Sequence, residues 1–270
     1  MSAGLPSASI TLALLGVALV YLRGWTRLQS TFSNPIPAWR LVAFGSGLAL
    51  IWIALASPWA DLDDDLLLAH MVQHLLLMTL AAPLVLLGAP AVVLMNGLPG
   101  NWRPASFFSS RGSTLPHPTL CWLAGTGVVI AWHIPAMFEL AMRFELWRQV
   151  ERASFLAAGL LFWWPIIPWP RAARWPQWFP PLYLFLATLP CDALSAFLTF
   201  CDRVVYPTYR SAHRMFGLSA LQDQQWAGTV MWVWVTFAYL VPAVFLTMEL
   251  LSPRRASVAA LPSRERALTR

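Results

Sequence analysis

The sequence predicts an all-α fold, a polytopic bundle of membrane-spanning helices, and three observations carry that expectation. Hydrophobic residues make up 58% of the chain and charged ones only 11%, against roughly 45–50% and about 25% in soluble domains. Apolar runs near the ~20 residues that cross a bilayer recur along the chain. The basic residues are all arginine and fall between those runs and at the C-terminal end. This composition excludes a soluble globular domain and a disordered chain, and three cysteines in 270 residues staple no disulfide scaffold. The formal charge of +6 sits in loops, so it reads as a topology signal and no nucleic-acid partner is expected.

Seven runs are read as spans, at 8–22, 41–59, 66–89, 119–138, 153–169, 181–201 and 226–250. The first is preceded by no basic residue, so it reads as a retained helix and not a signal peptide. The second is uninterrupted, and the third follows an acidic loop with Asp61, Asp63, Asp64 and Asp65, which reads as solvated. The fourth contains Pro135, which frees backbone carbonyls and can kink it. The fifth, with Trp163, Trp164, Trp169, Trp175 and Trp178 around it, suggests an interfacial aromatic belt. Asp192 lies midway along the sixth, and Asp223, Gln224 and Gln225 precede the seventh. Residues 90–118 read as an irregular connection, 1–251 as one transmembrane domain and 252–270 as a disordered basic tail near anionic lipid.

With seven spans, the loops 1–2, 3–4 and 5–6 and the tail hold 12 arginines and the other side holds 6. The positive-inside rule then puts the N-terminus outside and the C-terminus in the cytoplasm.

Ionisable groups within spans cost about 2.5–3.5 kcal/mol each at the helix centre, so each asks for a partner or a purpose. In the third span, at 100° per residue, His70, Met71, His74 and Met78 fall at about 0°, 100°, 40° and 80°. Two imidazoles at i and i+4 with thioethers beside them form a half-site for a soft or borderline metal. His133 and Met137 repeat the i, i+4 spacing in the fourth span. Gln224, Gly228 and Met231 share a face of the seventh, with the glycine permitting close approach. Beside these stand plainer readings: interhelical hydrogen bonds for the histidines and packing for the methionines. Asp192 is better read as bonding Ser195 and Thr199 than as a ligand. Cys121, Cys191 and Cys201 form no C-x-x-C pair, and Cys201 reads as a small apolar residue. His117 and His213 read as solvated. No nucleotide loop, hydrolase elbow or H-E-x-x-H motif is present, and nothing demands catalysis.

The strings HMVQHLLLMTLAAPLVLLGAP at 70–90, AWHIPAMFELA at 131–141, ASFLAAGLLFWWPII at 153–167 and LSALQDQQWAGTVMWVWV at 218–235 resemble the landmarks of the cytochrome c oxidase assembly factor CtaG, the polytopic type tied to caa-type oxidases. The resemblance implies a multi-pass protein of the bacterial plasma membrane, needed to make active haem-copper oxidase. It also implies copper delivery to an oxidase subunit as the step served, with an extracytoplasmic copper donor. It marks His70, Gln73, His74, His133, Pro135, Asp223, Gln224, Gly228 and Met231. The family often has a His after an acidic residue at the outer start of its fifth span, whereas this chain has Glu151-Arg152.

These readings combine into an expectation. Cu(I) would be held by His70, His74 and His133, supplemented by Met71, Met78 or Met231, with Gln73, Asp223, Gln224 and Asp192 as supporting polar groups around the ligands. Three others remain open at this point: haem ligated axially by His74 and His133, a metal-free membrane chaperone for an oxidase subunit, and a copper permease.

Overall fold

The third apolar run is the axis of the molecule. In the computed structural model, which describes residues 4–31, 36–99, 117–167, 175–212 and 215–252, 61% of the window in Leu67–Leu87 is buried, against 11% in Ser7–Ser30 and 28% in Ala38–Ala56. Every described element is helical or a turn, and no strand occurs among the described residues. The helices are α1 (Gly4–Thr31), α2 (Ala38–Ala56), α3 (Leu67–Leu75), α4 (Ala82–Leu87), α5 (Pro90–Gly97), α6 (Pro118–His133), α7 (Pro135–Arg143), α8 (Glu145–Trp163), α9 (Phe179–Phe200) and α10 (Ala220–Leu251). A π turn, Leu76–Ala81, joins α3 to α4, so one span is assembled from three backbone geometries. A 3₁₀ strap, Pro58–Asp64, links α2 to α3.

Five helices or helix runs are long and apolar enough to cross a membrane, or six if the bent pair α6–α7 counts as one. Seven were expected. The shortfall lies in α8, where the run 153–169 falls, because its first turns carry Glu145, Arg148, Glu151 and Arg152. The fourth run differs too. Its chain leaves the helix at Ile134 (φ −66°, ψ 123°), and Pro135 starts a new helix bent 75° from the old one. Proline fits there because a first-turn residue needs no intrahelical donor.

Residues 90–97, expected to open an irregular connection, form α5, which lies against α1. The reversal into it places Ala89 at φ 50°, a left-handed conformation costly for a residue with a Cβ. Arg40 Nη1 donates to the Leu87 carbonyl at 2.8 Å and Tyr21 Oη to that of Gly88 at 2.7 Å, which satisfies the end of α4. Residues 100–116, the tail beyond 252, His213 and Trp169 lie outside the described residues.

The main core gathers Leu75, Met78, Trp132, Phe155, Phe162, Trp163, Tyr183, Met231 and Tyr239 from α3, the π turn, α6, α8, α9 and α10. Trp163, expected in an interfacial belt, is buried here and its Nε1 donates to the Met78 carbonyl at 3.0 Å. Trp178, at 57% exposure, stays on the surface.

Candidate metal centre

Helix α3 begins at Leu67, where leucine at the preceding position offers no side-chain cap. The cap comes from α10: Asp223 accepts from the backbone N–H of Leu67 (Oδ2, 2.7 Å) and of Leu68 (Oδ1, 3.1 Å). A carboxylate there satisfies two orphan donors and complements the helix dipole. Asp223 thus acts on the helix that carries the histidines. Gln224 fixes the loop after α9, accepting from Val205 N–H at 2.7 Å and donating to the Arg203 carbonyl at 3.0 Å. Gln73 donates to the Ala60 carbonyl at 2.7 Å, which ties the strap down on α3.

Against this frame His70 and His74 lie one turn apart, with ring centroids separated by 4.4 Å. Glu151 of α8 lies between them, its Oε1 at 3.3 Å from His70 Nε2 and 3.8 Å from His74 Nε2. One donor atom from each of the three lies within 4.8 Å of the others, and all three residues are buried. Ligands about 2.0–2.2 Å from an ion stand at most about 4.4 Å apart, so a modest inward shift completes such a site. His74 Nε2 and Glu151 Oε2 have no hydrogen-bond partner, although each is buried. An unmet buried acceptor costs about 1–3 kcal/mol, so the arrangement is poor as a purely structural network.

The charges around the triad sharpen that point. Arg152 Nη2 reaches Asp63 Oδ2 at 2.6 Å and Arg148 Nη1 reaches Asp64 Oδ1 at 2.5 Å. With these acids and arginines paired off, the ion-pair partners of Glu151 among the described residues are the two imidazoles. Asp63 is 1% exposed, so its expected solvated position is corrected: two arginines of α8 draw it inward. Its Oδ2 lies 3.9 Å from His70 Nδ1. Tyr209, in the turn Pro207–Arg210, donates to the Asp63 carbonyl at 2.6 Å. Burial first, and then the nearby carboxylates of Asp63, Asp223 and Glu151, raise that phenol's pKa well above its ordinary value, so it remains a donor.

Deeper than the triad, His74 also lines a cavity of about 30 Å³ with Met71, Met78, Met231, His133, Phe155 and Cys191, among others. His133 Nδ1 pairs with the Val129 carbonyl at 2.7 Å, as a donor must, which leaves buried Nε2 a bare acceptor without a partner. The break at Ile134 turns the His133 carbonyl out of the helical ladder, and Tyr206 Oη donates to it at 3.1 Å. Phe155 stacks on His74 at 3.9 Å between centroids. Gly159 brings α8 against the π turn: a Cβ there would stand 2.9 Å from the Met78 Cα and carbonyl oxygen. Gly228 does the same between α10 and α9, beside Thr199.

Asp192 stands apart from this cavity and accepts from Thr236 Oγ1 at 3.4 Å, while Ser195 and Thr199 bond back along α9. Met137 packs partly buried on the core. His117 is exposed and caps α6 through Thr119 N–H. Sequence reasoning named Glu151 and Cys191 but counted neither among the ligands. A carboxylate two residues before the string ASFLAAGLLFWW, separated from it by Arg152, was the available signal for the first.

The family model for the cytochrome c oxidase caa3 assembly factor matches residues 19–252. Curated relatives include an uncharacterized protein of Mycobacterium bovis (Mb0105), 26% identical over 231 residues and covering 80% of this chain. One of Mycobacterium leprae (ML1998) is 24% identical over 234 residues, covering 82%. The matched region spans 34% and 35% of those two proteins, about a third of their length. No solved structure matches the chain. Over the span that holds all of the candidate centre, the chain belongs to the cytochrome c oxidase caa3 assembly factor family.

Proposed function

We propose that this protein assists assembly of a haem-copper oxidase by taking up copper at His70, His74 and Glu151 and passing it to an oxidase subunit in the bacterial plasma membrane. One observation carries the reading: Glu151, buried between two imidazoles, pairs with no arginine among the described residues and keeps an unused oxygen. Two imidazoles and a carboxylate form a borderline donor set that accepts copper as well as zinc. In this reading the acidic strap faces the extracytoplasmic side, where a copper donor reaches it, and the ion is cargo, so the role is not enzymatic.

The chain's own groups would do three things. Asp223 holds the start of α3 so that His70 and His74 share one orientation. Arg148 and Arg152 are taken up by Asp64 and Asp63 of the strap, so the charge of Glu151 is free to draw a cation in. Phe155 shields one face of His74 from competing water. Haem between His74 and His133 does not fit, because the space there is about 30 Å³, whereas small-molecule and cofactor pockets run about 300–1,000 Å³.

The test is anaerobic copper titration of the purified full chain beside oxidase maturation in cells lacking the native copy. Stoichiometric copper, lost together with oxidase activity in His70→Ala/His74→Ala, is the expected result. Full maturation supported by His70→Gln/His74→Gln/His133→Gln would overturn the copper reading in favour of a metal-free chaperone.

A further inference from the structure

The cavity beneath the triad has a different donor chemistry from the triad itself. Three thioethers, from Met71, Met78 and Met231, surround it together with His133. All four residues are at least nine-tenths buried, and His133 keeps one ring nitrogen without a partner after the Val129 carbonyl has engaged the other. A space of about 30 Å³ holds roughly one water. A cation entering it must therefore shed its hydration shell and be coordinated by the wall. Thioether walls favour soft monovalent ions and offer little to Zn(II) or Mg(II). No carboxylate lines the cavity, and the groups on its wall able to take on negative charge are the Cys191 thiol and the Tyr239 phenol.

His74 belongs to both places. Its Nε2 faces Glu151 at 3.8 Å, and its ring forms part of the cavity wall. We propose that the cavity is a second metal station, selective for a soft monovalent cation such as Cu(I). An ion taken up at the triad moves into it by exchanging Glu151 and His70 for methionine sulfur while His74 stays bound. The proposal rests on the triad being the port of entry. It adds a sorting step, because an ion that suits the triad alone goes no further. No electron transfer is involved: the ion keeps its charge, and only neutral ligands replace the carboxylate.

Ag(I) and Zn(II), both redox-inert, probe the two stations separately in the full chain held in lipid nanodiscs. The comparison uses wild type, Met78→Leu/Met231→Leu and Glu151→Gln. Leucine conserves volume, so the methionine variant keeps its packing. We expect wild-type Ag(I) to show sulfur neighbours by X-ray absorption and Zn(II) to show only nitrogen and oxygen. In the methionine variant Ag(I) affinity should fall at least tenfold with Zn(II) unchanged. In Glu151→Gln, Zn(II) affinity should fall at least tenfold while Ag(I) keeps its sulfur signal. Ag(I) without sulfur neighbours, or with unchanged affinity in the methionine variant, would overturn the second station and leave the triad standing. Zn(II) binding indifferent to Glu151 would instead overturn the triad as the port, and with it the exchange between stations.

Discussion

Replacing Glu151 with glutamine separates a metal ligand from a structural ion pair, because the two readings predict opposite signs for stability. Glutamine keeps the shape and can still meet His70 Nε2, now 3.3 Å from Oε1, but it carries no charge. Glu151 Oε2 is a buried acceptor without a partner, and such a group costs about 1–3 kcal/mol. The charge of Glu151 is not needed by Arg148 or Arg152, which already hold Asp64 and Asp63. Glutamine leaves a polar atom in the same place, but it no longer buries a charge, so the metal-free variant should be at least as stable as wild type. Copper affinity should move the other way. Loss of a supporting neighbour costs about 10–100-fold in metal affinity, and loss of a direct charged ligand should reach at least the upper value, about 2.8 kcal/mol at 1.4 kcal/mol per decade. Tryptophan-fluorescence melts of the metal-free chain and a competition titration with a copper chelator read both quantities. A variant that melts lower and binds copper as tightly as wild type would refute the reasoning, since Glu151 would then serve packing alone.

Three further outcomes follow from the same geometry. Asp223→Ala removes the cap of α3 and should cost about 1–2 kcal/mol, read as lost hydrogen-exchange protection over residues 67–71, with Asp223→Asn recovering part of it. Arg152→Leu strands the buried carboxylate of Asp63 and should destabilise by about 3 kcal/mol. Adding Asp63→Asn should restore most of that, and a double-mutant cycle on the melts checks it. Gly159→Ala drives a methyl into the Met78 backbone. The overpacking cost of about 1–3 kcal/mol outweighs the roughly 1 kcal/mol of regained helix propensity. The melt should fall, and copper affinity with it, because Glu151 rides on the displaced helix.

Much of this arrangement is legible in the chain before it folds. Hydropathy identifies the helical membrane class, and the spacing of His70, Met71, His74 and Met78 gathers the residues that line the triad and the cavity. The fit of Gly228 against α9 is foreshadowed by its place beside Gln224 and Met231. Glu151 is hidden because a charge at the edge of an apolar run marks where a span starts, and only tertiary packing can bury it. Asp63 is hidden for a related reason: the arginines that pull it inward come from α8, 85 and 89 residues along the chain. The bend at Ile134 is half visible, since Pro135 announces a kink but local sequence does not choose between a kinked helix and a 75° break.

The π turn at Leu76–Ala81 lets one span obey two registers at once. A π turn holds one residue more than the α turn it replaces, so the helix below it need not continue the phase of the helix above. The upper half, α3, is oriented by Asp223 and aims its histidines at Glu151. The lower half, α4, lies against α2, where Val85 fits beside Gly47. On an uninterrupted α-helix a substitution that rotated one half would rotate the other by the same angle. With the spare residue between them, metal geometry and bundle packing can be adjusted separately, and deleting one residue from 76–81 would lock the two together again.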